Sequence, residues 1–364
     1  MIDAERELGY GKRTIKVLVV DDSAFMRILV SDMLNTDPEI EVVSVARNGE
    51  EGVRRVKELS PDVVTMDVEM PKMNGIEAVK HIMKEKPTPV VMLSGITKQN
   101  ADVTLEALAQ GAFDFVTKPS GTLSLDVEKV KDEIIAKIKA AYSYNGKTGT
   151  GMNRRHVMAQ TPDYTYAHAH TPANEGRISK KVVVIGSSTG GPKALAEIFS
   201  ALPQGIPAGM LVVQHMPPYF TKSLAERLDK CSGVHVKEGE VGDMITNGSA
   251  LVAPGDHHMT INTGKIRLNQ EPPVNAIRPS VDVTMMSIAK TYGYNTIGVL
   301  LTGMGNDGAA GMKAIKEQGG KTIACDEKTS VIFGMPKEAI KLGCVDKIVP
   351  LQEIAAEIMR CVVN

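Results

Sequence analysis

VVVIGSSTGG, residues 182–191, decides how the second half of this chain folds. An apolar, β-branched run enters glycines and small hydroxylated residues, and ALAEIFSAL follows at 194–202 with helical spacing. A short buried strand, a glycine turn and an amphipathic helix make the repeating unit of a parallel α/β sheet. The same turn admits three chemistries: a phosphate cradle, a nucleophilic serine at a strand end, or a tight turn with no chemistry. If a serine is the nucleophile, spacing alone leaves Ser187 and Ser188 tied.

The α/β rhythm extends in both directions. GMLVVQHM (209–216), NTIGVLLTGM (295–304) and KTIACD (321–326) are strand-like, with helical segments such as AAGMKAIKEQG (309–319) between them. Upstream, IKVLVV, EVVSVA, DVVTMDV, PVVMLS and FDFVTK alternate with amphipathic stretches from residue 15 to about 140. Two α/β domains with parallel sheets are expected, which suits 364 residues. Residues 143–177 lose periodicity and gather Gly, Pro, Asn and Thr, the composition of a linker. The expected division is 14–140, a linker over 141–178, and 179–362. His156, His168 and His170 in the linker read as solvated rather than metal-binding.

Charge and composition narrow the function. A formal net charge of −1 argues against nucleic acid as a partner, because such proteins need clustered Lys and Arg to displace counterions. The four cysteines lack CxxC spacing, so neither a zinc site nor a disulfide framework is indicated. No stretch approaches the ~20 apolar residues of a membrane span, and the charged N-terminus is unlike a signal peptide. A soluble, cytoplasmic protein without direct membrane insertion is expected.

In the first domain the strand IKVLVV runs into Asp21 and Asp22, and DVVTM runs into Asp67. A fourth strand ends at Ser94, and a fifth, FDFVT, at Lys118, followed by Pro119. Helix capping alone would explain Asp22 or Ser23, but not the whole set. Carboxylates gathered at the C-terminal edge of a parallel sheet suit a hard cation such as Mg²⁺, beside which one carboxylate can accept a phosphoryl group. VLVVDDS (17–23), TMDVEMP (65–71), MLSG (92–95) and VTKP (116–119), in that order, resemble the receiver domain of two-component response regulators. The resemblance implies a flavodoxin-like fold with a five-stranded parallel sheet, phosphorylation on Asp67, and Mg²⁺ held by Asp21, Asp22, Asp67 and the Glu69 carbonyl. It also gives Ser94, Lys118 and Phe115 roles in phosphoryl signalling, and a chemotaxis histidine kinase as phosphodonor.

In the second domain a dinucleotide site would want G-x-G-x-x-G and an acid at the end of the next strand, where Gln214 and His215 stand. A P-loop would want lysine directly after Gly191, where Pro192 stands. A hydrolase needs a base and an orienting acid near the serine, and His215 and Asp307 both occupy expected strand ends. His258 competes for the role of base, and Arg278 is equally a substrate contact or a surface residue. VIGSSTGGP, VVQHMPPYFTKSLAERLD, VAPGDHHM, PPVNAIRPSVDV and LTGMGNDGAAGM, in order, resemble the catalytic domain of the chemotaxis protein-glutamate methylesterases. That resemblance breaks the serine tie for Ser188. It implies a Ser188–His215–Asp307 triad lined by Thr189 and Met304, on a second doubly wound α/β domain with a mainly parallel sheet. It further implies hydrolysis of glutamate γ-methyl esters, and deamidation of glutamines, on methyl-accepting chemoreceptors. No cofactor is implied for ester hydrolysis. A module that only docks partners would show a missing triad member, and none is missing.

Overall fold

The protein is described by a computed structural model covering residues 14–119, 126–149 and 177–363. In the N-terminal part, β1 (Ile15–Val20), β2 (Ile40–Ala46), β3 (Val63–Asp67), β4 (Val90–Ser94) and β5 (Asp114–Thr117) form one sheet in the order β2-β1-β3-β4-β5. Every pairing is parallel. The continuous Val, Ile and Met runs follow from this, since a central parallel strand is covered on both faces; every residue of β3 and β4 is buried.

The connecting helices are α1 (Ala24–Asn35), α2 (Gly49–Leu59), α3 (Gly75–Glu85) and α4 (Lys98–Ala109), with α5 (Asp126–Gly149) at the end. Side chains just before three of them accept a first-turn N–H: Ser23 from Met26, Asn48 from Glu51 and Asn74 from Glu77. Ser23 is therefore the cap of α1, and Asp22 is free of that task. Helix α5 runs past residue 140 into the stretch whose composition suggests a linker. Ala141 is buried in the core with Ile134 and Ile138, and the Tyr144 ring lies 5.6 Å from that of Phe113. Contacts with the core thus hold the helix where composition alone suggests a loop. The three linker histidines lie outside the described residues.

The C-terminal part contains a seven-stranded sheet built from β6 (Val182–Ser187), β7 (Gly209–Gln214), β8 (His235–Glu238), β9 (Ser249–Val252), β12 (Thr296–Leu300), β13 (Lys321–Cys325) and β14 (Lys347–Val349). Its order is β14-β13-β12-β6-β7-β9-β8, and all pairings are parallel. A separate antiparallel hairpin, β10 (His258–Asn262) with β11 (Lys265–Asn269), is the exception that makes the domain mainly parallel. The helices are α6 (Gly191–Ala201), α7 (Phe220–Cys231), α8 (Val281–Tyr292), α9 (Ala309–Glu317), α10 (Met335–Lys341) and α11 (Leu351–Val363). From β6 the chain adds strands first on the β7 side and later on the β12 side, so strand order reverses at β6. Such a reversal opens a crevice at the C-terminal strand ends, where open α/β sheets bind ligands. Among the described residues no helix is long and apolar enough to cross a membrane.

Candidate functional site

Register brings the three central strand ends of the second domain to one level. Ser187 pairs with Gln214 across β6 and β7, and Gly186 pairs with Leu300 across β6 and β12. The residues that follow are stitched together by the backbone: His215 N–H donates to Ser187 O at 3.1 Å, and Ser188 N–H to Thr302 O at 2.8 Å. Gly303 lies so close that a Cβ there would sit 2.7 Å from the Ser188 Cβ, so any larger residue would displace the serine.

The two serines part company here. Ser187 is 0% exposed, and its hydroxyl donates to Gln214 Oε1 at 2.7 Å. Ser188 is half-buried, and its hydroxyl has no hydrogen-bond partner among the described residues. The first hydroxyl is a structural donor, and the second is available for chemistry. Thr189 is buried and Met304 half-buried, each next in sequence to a residue of this stitched edge.

His215 meets Asp307 through Nε2, 2.7 Å from Oδ2. Asp307 is 1% exposed and accepts three further hydrogen bonds from the start of α8: Ser280 Oγ at 2.8 Å, Val281 N–H at 2.7 Å and Asp282 N–H at 3.0 Å. A helix N-terminus stabilises an anion through its free N–H groups and its dipole. Burial alone would raise the Asp307 carboxyl, but His215 and the Asp282 and Val281 N–H groups outweigh it and hold it below the usual carboxylate value. The ionised carboxylate fixes the imidazole as the Nε2–H tautomer and leaves Nδ1 as the basic nitrogen.

Sequence reasoning missed Ser280, Gln214 and Asp282. The N-cap pattern of Ser280 before an apolar helix was the available signal, but its second partner, Asp307, is 27 residues away. The other candidates have structural posts. His258 is buried, accepts the Ser280 N–H on Nδ1 and donates from Nε2 to Pro272 O, each at 3.3 Å. It stands behind Ser280 rather than beside Ser188. Arg278 is committed to Asp256 and to the carbonyls of Gln270 and Glu271, which ties down its own loop.

In the first domain Asp21, Asp22 and Asp67 each offer a carboxylate oxygen within 4.8 Å of the others. Lys118 Nζ bridges two of them, 2.8 Å from Asp21 Oδ2 and 2.7 Å from Asp67 Oδ1. One lysine does not balance three carboxylates. Burial, with repulsion from Asp21 and Asp22, pushes the Asp67 carboxyl up to about 6 against the pull of Lys118. Burial opposes charge on Lys118, yet its two carboxylate partners raise its pKa. This surplus of hard oxygen donors around a cluster short of positive charge fits a divalent cation. Glu69 is exposed in the loop after Asp67, Ser94 is buried at the end of β4, and Phe115 is buried under Lys137, whose Nζ lies 5.1 Å from the ring centroid.

Comparison with known proteins agrees on both parts. The CheB methylesterase family profile matches residues 183–358, and the response regulator receiver domain profile matches residues 17–128. A protein-glutamate methylesterase/protein-glutamine glutaminase of Pyrococcus horikoshii is 49% identical, the match covering 96% of this chain and 94% of the relative. One of the same description from Thermotoga maritima is 45% identical over 96% of this chain and 99% of its own length. The crystal structure of the Thermotoga maritima CheB methylesterase catalytic domain is 46% identical, covers 50% of this chain and 99% of its own, and has a TM-score of 0.49. With near-complete coverage at such identity, the chain belongs to the family of protein-glutamate methylesterases/protein-glutamine glutaminases that carry a response regulator receiver domain ahead of the CheB methylesterase domain.

Proposed function

We propose that Ser188 is the nucleophile, His215 the general base and Asp307 the orienting acid of a phosphorylation-regulated chemotaxis enzyme. It hydrolyses glutamate γ-methyl esters, and deamidates glutamines, on methyl-accepting chemoreceptors in the cytoplasm. The observation that carries the reading is the Asp307 carboxylate, held by three donors from α8 and one imidazole nitrogen. So constrained, it leaves His215 Nδ1 as the one ring nitrogen able to take a proton.

Ser188 Oγ attacks the γ-carbonyl carbon while its proton passes to Nδ1. The imidazolium, stabilised by Asp307, returns that proton to the departing methoxide, releasing methanol and leaving a glutamyl ester on Ser188. Water then attacks the same carbonyl, Nδ1 takes its proton, and Ser188 Oγ leaves with that proton to give glutamate. With glutamine the first leaving group is ammonia. The N–H groups of Thr189 and Met304, which donate to no protein acceptor among the described residues, suit the oxyanion; that of Ser188 is already bound to Thr302.

In the receiver, Asp67 accepts a phosphoryl group from a chemotaxis histidine kinase. Asp21, Asp22, Asp67 and the Glu69 carbonyl would hold Mg²⁺, which when bound would supply the positive charge that such a transfer needs. Lys118 pairs with the phosphoryl group, Ser94 donates a hydrogen bond to it, and Phe115 passes the change on. The functional division is a receiver over 14–140, a linker over 141–178 into which α5 extends, and a catalytic part over 179–362.

Mass spectrometry of a peptide carrying a glutamate γ-methyl ester tests the assignment. Ser188→Ala is expected to lower kcat by on the order of 10⁴–10⁶, while Ser187→Ala stays within about tenfold of wild type, the value of one lost hydrogen bond. Fast turnover by Ser188→Ala would overturn the reading.

A further inference from the structure

The role of Gln214 follows from its three hydrogen bonds. It ends β7, is 2% exposed, and lies beneath the turn that carries Ser188. Its Oε1 accepts the Ser187 hydroxyl at 2.7 Å, which orients the amide. The NH₂ then donates to Ser188 O at 2.9 Å and to His215 O at 3.3 Å. One primary amide therefore joins the backbone of the proposed nucleophile to that of the proposed base, which stand at the ends of different strands.

The consequence lies in the peptide that follows Ser188. Its carbonyl also accepts the Gly191 N–H at 2.8 Å, so two donors fix the direction of this C=O. A trans peptide is planar, and its N–H points opposite to its C=O. Holding Ser188 O toward Gln214 accordingly directs the Thr189 N–H away from the buried amide. Gly191 completes the arrangement, since a Cβ there would stand 1.9 Å from Gln214 Oε1 and would drive the amide out.

We infer that Gln214, locked by Ser187, is a positioning residue that aims the Thr189 N–H at the oxyanion and holds Ser188 and His215 in register. The inference rests on the assignment of Ser188 and His215 above. It also gives Ser187 a function, as the group that sets which end of the Gln214 amide faces the turn.

The full-length protein carrying Gln214→Met keeps the side-chain length and loses all three hydrogen bonds. On a peptide bearing a glutamate γ-methyl ester, kcat is expected to fall by about 10²-fold, the range for loss of one oxyanion donor, with KM within about threefold. Ser187→Ala frees Oε1 but leaves both donated bonds possible, and is expected to cost about three- to tenfold in kcat alone. Ser188→Ala is run in parallel. If it is inactive and Gln214→Met turns over at the wild-type kcat, the role of Gln214 is refuted and the triad stands. If Ser188→Ala remains active, the triad itself is refuted. Should Gln214→Met fail to fold, Ser187→Ala decides: a rise in KM at constant kcat, or no change in either, overturns the inference.

Discussion

Asp282 and Asp307 each occupy the N-terminus of the other's helix. Asp307, just before α9, accepts the Asp282 N–H of α8 at 3.0 Å, while Asp282 Oδ1 accepts the Gly311 N–H of α9 at 2.6 Å. Two helix starts are thus tied by an exchange of carboxylates, each placed where N–H groups and the dipole favour negative charge. The exchange is unequal. Asp307 has four partners and is held low, whereas burial, followed by repulsion from Asp307, pushes the Asp282 carboxyl up to about 6 in spite of the Gly311 N–H.

That asymmetry predicts a pH-dependent stability. Between 3.8 and about 6 the unfolded chain has released the Asp282 proton while the folded chain still binds it, so this group's contribution to stability falls as pH rises through that window. Asp282→Asn cannot ionise and escapes the loss. Thermal unfolding of the two proteins from pH 4 to 7.5 is expected to shift in favour of the variant as pH rises. A difference in Tm that stays constant across that range would show that Asp282 ionises in the folded protein as it does in the unfolded chain.

Ser280 predicts a separable effect on catalysis. Its hydroxyl donates to Asp307 and also accepts the Val283 N–H as the cap of α8. Ser280→Ala is expected to cost about 1–2 kcal/mol in stability, from the lost cap and buried hydrogen bond. It is also expected to lower kcat about tenfold at unchanged KM, because Asp307 keeps its backbone donors but gains freedom to turn. Ser280→Thr should recover most of both. A wild-type kcat in Ser280→Ala would mean that the backbone N–H groups alone hold Asp307.

The receiver cluster predicts selective stabilisation by Mg²⁺. A cation that binds only the folded state stabilises it by about 2.7 kcal/mol at a free concentration of 100 Kd. Calorimetry at neutral pH is expected to show Mg²⁺ raising the receiver's unfolding temperature in the wild-type chain, and EDTA reversing the rise. Asp22 is exposed, so Asp22→Ala should fold normally and lose most of the response. Equal shifts in both proteins would remove Asp22 from the site.

Much of this was legible in the sequence because strand ends are marked by local chemistry. Asp21, Asp67 and His215 stand at the ends of apolar runs and Asp307 in the glycine-rich turn beyond one, and a parallel sheet brings such segments to one edge whatever their separation along the chain. Less was legible where partners are distant or strands are short. The four-residue strands β8 and β9, the hairpin β10–β11 and the three-residue β14 escape a periodicity argument, which needs longer windows. Spacing could not separate Ser187 from Ser188. What separates them is the buried Gln214 amide, contributed by a neighbouring strand and invisible in GSSTGG itself.

The rival histidine gives the last prediction. His215 follows the apolar strand β7 and His258 the turn APGDH, but the fold commits His258 on both ring nitrogens, to Ser280 N–H and Pro272 O. With both ring nitrogens engaged, His258 has no acceptor atom open to a substrate proton unless the Ser280 bond is given up. His258→Gln should therefore act mainly on stability, at a cost of about 1–3 kcal/mol for disturbed buried hydrogen bonds. It should retain ester hydrolysis within about tenfold of wild type, as expected for one altered bond behind Ser280. His215→Gln, equally polar, should lose on the order of 10⁴-fold or more, as removal of a triad base does elsewhere. The reverse ranking, measured as methanol release per folded molecule, would make His258 the base and Asp307 a structural carboxylate.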